Sequence, residues 1–145
     1  MKNTKRPIGI FDSGLGGLTV LKQLQNQFPN ESFIYIGDTA HLPYGNKSAT
    51  TIINCSELIC DYLIAQNVKL IIIACNTVSS LALKAIKKKF TLPIIDVITP
   101  VRHIVKKTPT IHKIGVIGTY NTIQSKAYYK TLKNANQNLQ IFEQT

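Results

Sequence analysis

The feature that most constrains this chain is an alternation. Five short runs, Ile8–Phe11, Phe33–Ile36, Leu70–Ala74, Pro93–Ile98 and Ile114–Ile117, are rich in β-branched residues and nearly all apolar, as strands covered on both faces are. Between them, apolar residues recur at helical spacing: Leu18, Leu21, Leu24 and Phe28, then Ile52, Cys55, Ile59 and Tyr62 or Leu63, then Val78, Leu81, Ala82, Ala85 and Ile86. A further helix is expected around Ile123 to Leu132, and Asn138–Glu143 reads as the start of a sixth strand. Strand and helix in alternation fold as a parallel sheet with right-handed crossovers and helices on its faces. The predicted class is α/β.

At 145 residues the chain can bury one substantial core. With 44% apolar and 17% charged residues it folds rather than stays disordered. Its longest apolar run, Leu70 to Cys75, is far too short for a membrane span, and the polar, basic N-terminus leads into Ile8 without the apolar region of a signal peptide. Cys55, Cys60 and Cys75 form an odd set with neither metal-ligand spacing nor a disulfide framework. The expectation is a soluble chain of a reducing cytoplasm, with no membrane partner.

The net charge is +10, unevenly placed: residues 1–83 carry six Lys/Arg against five Asp/Glu, and residues 84–145 carry eleven against two. A solvated lysine face and a phosphate-tracking surface both give this pattern. The basic half lacks the interleaved aromatics and recognised motifs of nucleic-acid binders, which favours the solvated face and no nucleic-acid partner. An acidic partner, or an acidic remainder of the chain, is the third reading. Thr99-Pro100 offers a seam, because proline cannot continue strand pairing and readily opens a helix; the chain divides there into a first α/β unit, residues 1–98, and the beginning of a second, residues 99–145.

Ligands of open parallel sheets bind at the carboxyl ends of the strands, and here those turns are polar. The first strand ends in Asp12-Ser13-Gly14-Leu15-Gly16-Gly17, the second in Gly37-Asp38-Thr39-Ala40 and the third in Cys75-Asn76-Thr77, while Asp96 lies near the end of the fourth. Cys75 stands between a strand and a helix, where the helix N-terminus favours thiolate; the alternative is a small buried hydrophobe, the reading that Cys55 and Cys60 take inside an amphipathic helix. Asp12 and Ser13 serve a ligand or cap the helix that follows. Thr39 to Gly45 reads as a ligand-covering loop carrying Tyr44 between Pro43 and Gly45, with His41 as proton carrier or solvated side chain. A nucleotide- or small-anion-binding module would use the glycine loop without Cys75, and Asp38 could then meet a ribose. Position 19 is Thr where the dinucleotide fingerprint needs Gly or Ala, and Asp12 would repel a pyrophosphate. Gly45-Asn46-Lys47-Ser48 lacks the upstream glycine of a P-loop, and no His/Cys/carboxylate group has metal-ligand spacing.

In this order, Phe11-Asp12-Ser13-Gly14-Leu15-Gly16-Gly17-Leu18-Thr19-Val20, Gly37-Asp38-Thr39-Ala40 with Pro43-Tyr44-Gly45, Ala74-Cys75-Asn76-Thr77, and Gly115-Val116-Ile117-Gly118-Thr119 with Thr122, Ile123 and Ser125 resemble the glutamate racemases of the aspartate/glutamate racemase superfamily. Aspartate and hydantoin racemases are near alternatives within it. The resemblance implies a two-lobed, pseudo-symmetric α/β fold and cofactor-independent interconversion of L- and D-glutamate, supplying D-glutamate for peptidoglycan. It implies a catalytic thiol at Cys75 and substrate contacts from Asp12, Ser13, Tyr44, Gly45, Asn76 and Thr77, with Asp12 also positioning Cys75. Val78 and Ser80 stand where the family commonly has alanines. The family's second half carries a Gly-Cys-Thr-His segment with the opposing cysteine, which these 145 residues do not contain. The resemblance therefore implies an incomplete first lobe, the start of a second, little or no racemisation by this polypeptide alone, and completion by a homodimer or a missing C-terminal half.

Overall fold

The computed structural model describes residues 5–145; the first four residues of the polar, basic N-terminal segment lie outside the described residues. Strand β1 (Ile8–Asp12) leads to helix α1 (Leu18–Gln27), β2 (Phe33–Gly37), two single 3₁₀ turns (Thr39–His41 and Tyr44–Asn46), α2 (Ala49–Ala65) and β3 (Leu70–Ile73). Then come α3 (Asn76–Leu81), α4 (Leu83–Lys89), β4 (Ile94–Asp96), α5 (Val101–Lys107), β5 (Lys113–Ile117), α6 (Tyr120–Gln124), α7 (Ala127–Ala135) and β6 (Gln140–Gln144). Four strands form one parallel sheet in the order β2-β1-β3-β4, and β5 pairs with β6, also parallel, in a second sheet. The α/β class with helices flanking a parallel sheet is as the sequence pattern predicts.

In the first sheet, β1 sits between β2 and β3 and all five of its residues are buried. Its alternation sends Ile8 and Ile10, with Ile72 and Ala74, against Val20, Leu21 and Leu24 of α1. Phe11, with Ile71 and Ile73, faces Ile52, Cys60 and Leu63 of α2 and Val78, Ala82 and Ile86 of the α3–α4 run. Each fully buried aliphatic side chain is worth about 1.5–3 kcal/mol, so these two layers hold β1 and β3 and fix where their carboxyl ends lie. Helix α2 begins where Ser48 Oγ accepts the Thr51 N–H at 3.1 Å, an N-cap that satisfies one orphan donor.

The second sheet departs from the expectation of two covered faces. Val116 is buried with Val105, Ile123, Leu132 and Leu139 beneath α5 and α7, while Ile117 (86%) and Phe142 (61%) are exposed on the opposite face. A two-stranded sheet offers helices one face here, and a Cβ at Gly115 would meet nothing within 4 Å. Two helices expected as continuous are also interrupted. Ala82 separates α3 from α4 where Ser80 Oγ bonds back to the Thr77 carbonyl at 2.8 Å, a contact that bends helices. Lys126, with φ 56°, separates α6 from α7. Pro100 precedes α5, as its fixed φ suits. The basic residues concentrate at helix ends, Lys87–Lys89 closing α4 and Lys106–Lys107 closing α5, where cations complement the helix dipole.

Candidate active site

Asp12, Asp38 and Asp96 all stand at the carboxyl rim of the first sheet, at or just after the ends of β1, β2 and β4. Asp12 is buried, and its Oδ2 accepts the Gly17 N–H at 2.9 Å and the Gly14 N–H at 3.3 Å. The carboxylate thus organises the glycine loop ahead of α1 and uses two amides that an anion-binding loop would offer to phosphate; the nucleotide reading loses those donors. Gly17 has to be glycine: a Cβ there would lie 2.7 Å from Asp12 Cβ and 2.9 Å from Ala74 Cβ. Tyr35 Oη donates to the Gly14 carbonyl at 2.9 Å from β2. Burial, then the neighbouring Asp12 and Cys75, push this phenol up, so carboxylate, phenol and thiol share one region.

Cys75 stands one residue beyond β3 and is the N-cap of α3. Only 5% exposed, its thiol donates to Ser13 Oγ at 3.3 Å. The expected neighbours of Cys75 on the first loop are therefore in place: Ser13 touches the thiol, and Asp12 shapes the loop that presents Ser13.

Asn76 and Thr77 open α3 and reach the second sheet's helices. Asn76 Oδ1 accepts from Tyr128 Oη at 2.7 Å, and Thr77 Oγ1 lies 3.1 Å from Thr119 Oγ1 and 3.4 Å from Thr122 Oγ1. Burial, then Asp96, raises the Tyr128 phenol. Asp96 itself accepts the Ile98 and Thr99 amides at 2.9 and 2.7 Å, so it closes a turn.

Tyr44 is placed differently from a lid residue. Its ring is buried and its hydroxyl donates inward to Asp38 Oδ2 at 2.5 Å. Burial and the Asp38 carboxylate push the phenol far up. Burial alone would raise the Asp38 carboxyl, but hydrogen bonds from Tyr44 and His41 outweigh it and hold the group below its ordinary value. The turn itself is tied to α6. Asn121 Nδ2 donates to the Tyr44 and Lys47 carbonyls at 3.2 and 2.8 Å, and a Cβ on Gly45 would meet Thr119 Cβ at 3.0 Å. Tyr35, Thr119, Asn121, Thr122 and Tyr128 were not among the expected site residues. Thr119 and Thr122 stand in a segment that carries the family resemblance, whereas Tyr35, Asn121 and Tyr128 gave no signal in the sequence.

A cleft of about 340 Å³ opens between Asp12, Gly16, Ala74, Asn76, Val97 and Tyr128, and one of about 190 Å³ between Asn76, Ile117, Thr119 and Tyr128. A larger hollow of about 500 Å³ lies between β2 and α2, on Tyr35, Leu58, Ile59 and Tyr62; the smaller clefts hold more convergent polar side chains, and Cys75 lines none of the three. Cys60 is fully buried in α2, and burial, then Asp61 and Glu57, raises its thiol to about 12, the core reading expected of it. Asp38, His41 and Cys55, without ligand spacing in the chain, have their donor atoms within 4.8 Å of one another. Asp38 precedes and His41 ends one 3₁₀ turn, and α2 supplies Cys55, so linear spacing does not show the convergence. Among the described residues no helix is long and apolar enough to cross a membrane.

Parallel sheets with a glycine-rich first turn, and a buried thiol and carboxylate at the carboxyl rim, define a parallel α/β protein with its polar site where strands enter helices. More narrowly, the chain belongs to the Asp/Glu/Hydantoin racemase family, which it matches over residues 8–143. It is 49% identical to a glutamate racemase of Sulfurihydrogenibium sp. over 94% of this chain and 53% of that protein. It superposes on the glutamate racemase of Francisella tularensis in complex with D-glutamate with a TM-score of 0.87 at 44% identity, over 96% of this chain and 52% of that one. For a glutamate racemase isoform of Bacillus anthracis the TM-score is 0.90 at 37% identity, over 95% and 52%. The chain spans about half the length of the relatives it matches.

Proposed function

We propose that this chain is the N-terminal part of a glutamate racemase, a cofactor-independent enzyme of the cytoplasm that interconverts L- and D-glutamate and supplies D-glutamate for peptidoglycan. The observation that carries the reading is the contact of Cys75 Sγ with Ser13 Oγ, 3.3 Å apart, beside a carboxylate-organised glycine loop in a chain of this family. In the mechanism, the Cys75 thiolate removes the α-proton of glutamate, and a thiol on the opposite face returns one with inversion. Asp12 and Ser13 position the thiolate and the amino-acid end of the substrate. Asn76 and Thr77, the latter held by Thr119 and Thr122, bind it from α3, and the Tyr44-Gly45 turn offers main-chain groups. Carbanion formation at an α-carbon needs a base that is unprotonated at the working pH and donors aimed at the developing charge.

Residues 1–98 form the first lobe and residues 99–145 the beginning of the second. The opposing cysteine belongs to a segment these residues do not contain, so one thiol returns the proton to the face it came from. Little or no inversion is expected from this polypeptide alone; a C-terminal half or a second copy would complete the pocket. The test is to follow the α-proton of L-glutamate and then D-glutamate in D₂O by NMR, with Cys75→Ala as control and the protein's own spectrum reporting its fold. Exchange that needs Cys75, without inversion, supports the reading. Exchange that persists in Cys75→Ala, or none from a folded chain supplied with a racemase C-terminal half, refutes it.

A further inference from the structure

Asp38, His41 and Cys55 converge at a place the proton-transfer reading does not use. Asp38 follows β2, His41 ends the first 3₁₀ turn, and Cys55 lies in α2. Nδ1 of His41 is 2.8 and 2.9 Å from the two Asp38 oxygens, and one donor atom from each of the three residues lies within 4.8 Å of the others. All three line a cavity of about 230 Å³ whose remaining walls include Ile36, Leu58 and Ile59. The His41 side chain is 57% exposed and that of Asp38 11%, so the cluster is walled by protein on one side and open to water on the other.

We propose that Asp38, His41 and Cys55 form a binding site for a divalent transition-metal ion of the zinc class, with solvent at the fourth position. One thiolate, one imidazole and one carboxylate are a borderline-soft donor set; calcium and magnesium select oxygen throughout. Tetrahedral bonds of 2.0–2.3 Å place ligand atoms about 3.3–3.6 Å apart. The Asp38–His41 contact then opens by about half an ångström and Cys55 Sγ closes by at most about 1.2 Å, a movement the cavity and the exposed imidazole allow. Tyr44 already donates to Asp38 Oδ2 at 2.5 Å, the outer hydrogen bond that orients a ligating carboxylate. On binding, the Cys55 thiol loses its proton to solvent. The proton that His41 Nδ1 shares with Asp38 leaves as Nε2 gains one, so a neutral imidazole ligates and the site releases one proton without redox change. Cys75 does not line this cavity, and the proposal does not depend on the racemase reading.

The test is a Co²⁺ titration of the full chain, read by thiolate-to-cobalt charge-transfer absorption, followed by Zn²⁺ competition against a chromophoric chelator. The expected result is one equivalent of Co²⁺ with the sulfur band, displaced by Zn²⁺. The band disappears in Cys55→Ser and survives in Cys75→Ser. Zn²⁺ affinity falls at least about tenfold in His41→Ala, whose exposed side chain makes folding a minor concern; circular dichroism checks each variant. No stoichiometric binding, a band that survives Cys55→Ser or is lost with Cys75→Ser, or unchanged affinity in folded His41→Ala would overturn the proposal.

Discussion

Gly37→Ala puts the packing of the rim to a quantitative test. Gly37 ends β2, and a Cβ there would lie 2.1 Å from the Gly14 carbonyl oxygen and 3.2 Å from its carbonyl carbon. Both are main-chain atoms, so no rotamer change relieves the clash, and an ordinary C···O separation of about 3.3 Å requires the loop or the strand to move by about 1 Å. That movement carries Gly14 away from Tyr35, whose hydroxyl donates to the same oxygen at 2.9 Å. Overpacking costs about 1–3 kcal/mol and the weakened hydrogen bond about 1 kcal/mol. Replacing glycine returns about 0.4–1 kcal/mol by restricting the unfolded chain. A net loss of about 1–3.5 kcal/mol is expected, and at about 3 °C per kcal/mol for a chain of this size the melting temperature falls by about 3–10 °C. Gly115→Ala is the control, because its Cβ would meet nothing within 4 Å; it should melt with or slightly above the parent. Thermal melts followed by circular dichroism decide the matter. A Gly37→Ala protein melting within 2 °C of Gly115→Ala would refute the argument that Gly14 and Gly37 are held in backbone contact.

Tyr44→Phe should cost about 1.5–3 kcal/mol in urea unfolding at neutral pH, since it removes a hydrogen bond to a carboxylate. Because the folded phenol is pushed up, the parent keeps the Tyr44 proton that its unfolded chain releases near pH 10, and so loses stability as pH rises beyond that. Urea titrations above pH 10 should show a shallower loss in Tyr44→Phe, and equal slopes would contradict the placement of the hydroxyl. Asp38, held low in the fold, adds stability above about pH 4 that is lost as pH falls through its folded value, and Tyr44→Phe should reduce that increment too. Asn121→Ala removes two bonds to the Tyr44 and Lys47 carbonyls, and a drop of about 1–2 kcal/mol is expected; hydrogen exchange should quicken at Lys47, whose amide closes the turn onto Tyr44. Unchanged exchange there would show that Asn121 does not hold the turn.

Most of the first sheet was legible because its signals are local. Runs such as Leu70–Ile73 are apolar in sequence for the same reason that β3 is buried in the fold, and the polar turns that follow mark the rim. Less legible was the direction in which polar groups point. Asp12 and Asp96 turn their oxygens onto nearby amides, while Tyr44 turns its hydroxyl onto Asp38; a sequence names the donor without the partner. Least legible were contacts between residues far apart in the chain. Nothing local in Tyr35, a residue inside a strand, announces its approach to Asp12 and Cys75, and Cys55 reads as helix core although it faces Asp38 and His41. The interruption at Lys126 is equally unannounced, because a single left-handed residue leaves no periodic trace.

The long-range contacts carry a consequence for how the site is held. None of the seven residues expected to serve the substrate lies beyond position 98, yet four of them are fixed from there. Tyr128 holds Asn76, Thr119 and Thr122 hold Thr77, Asn121 holds the Tyr44 carbonyl, and Thr119 packs against Gly45. Cys75, Asp12 and Ser13 depend instead on the first sheet, through β1, β3 and the loop closed by Gly17. The thiol and its loop are thus rigid with respect to one sheet, whereas the α3 and Tyr44-Gly45 contacts are shared with the helices of the other. A movement of α6 and α7 relative to the first sheet would loosen Asn76, Thr77 and the Tyr44-Gly45 turn before it disturbed the thiol. Because hydrogen bonds of this kind contribute about 0.5–1.5 kcal/mol each, the residues beyond position 98 steady Asn76, Thr77 and the Tyr44-Gly45 turn without supplying one of the expected site residues.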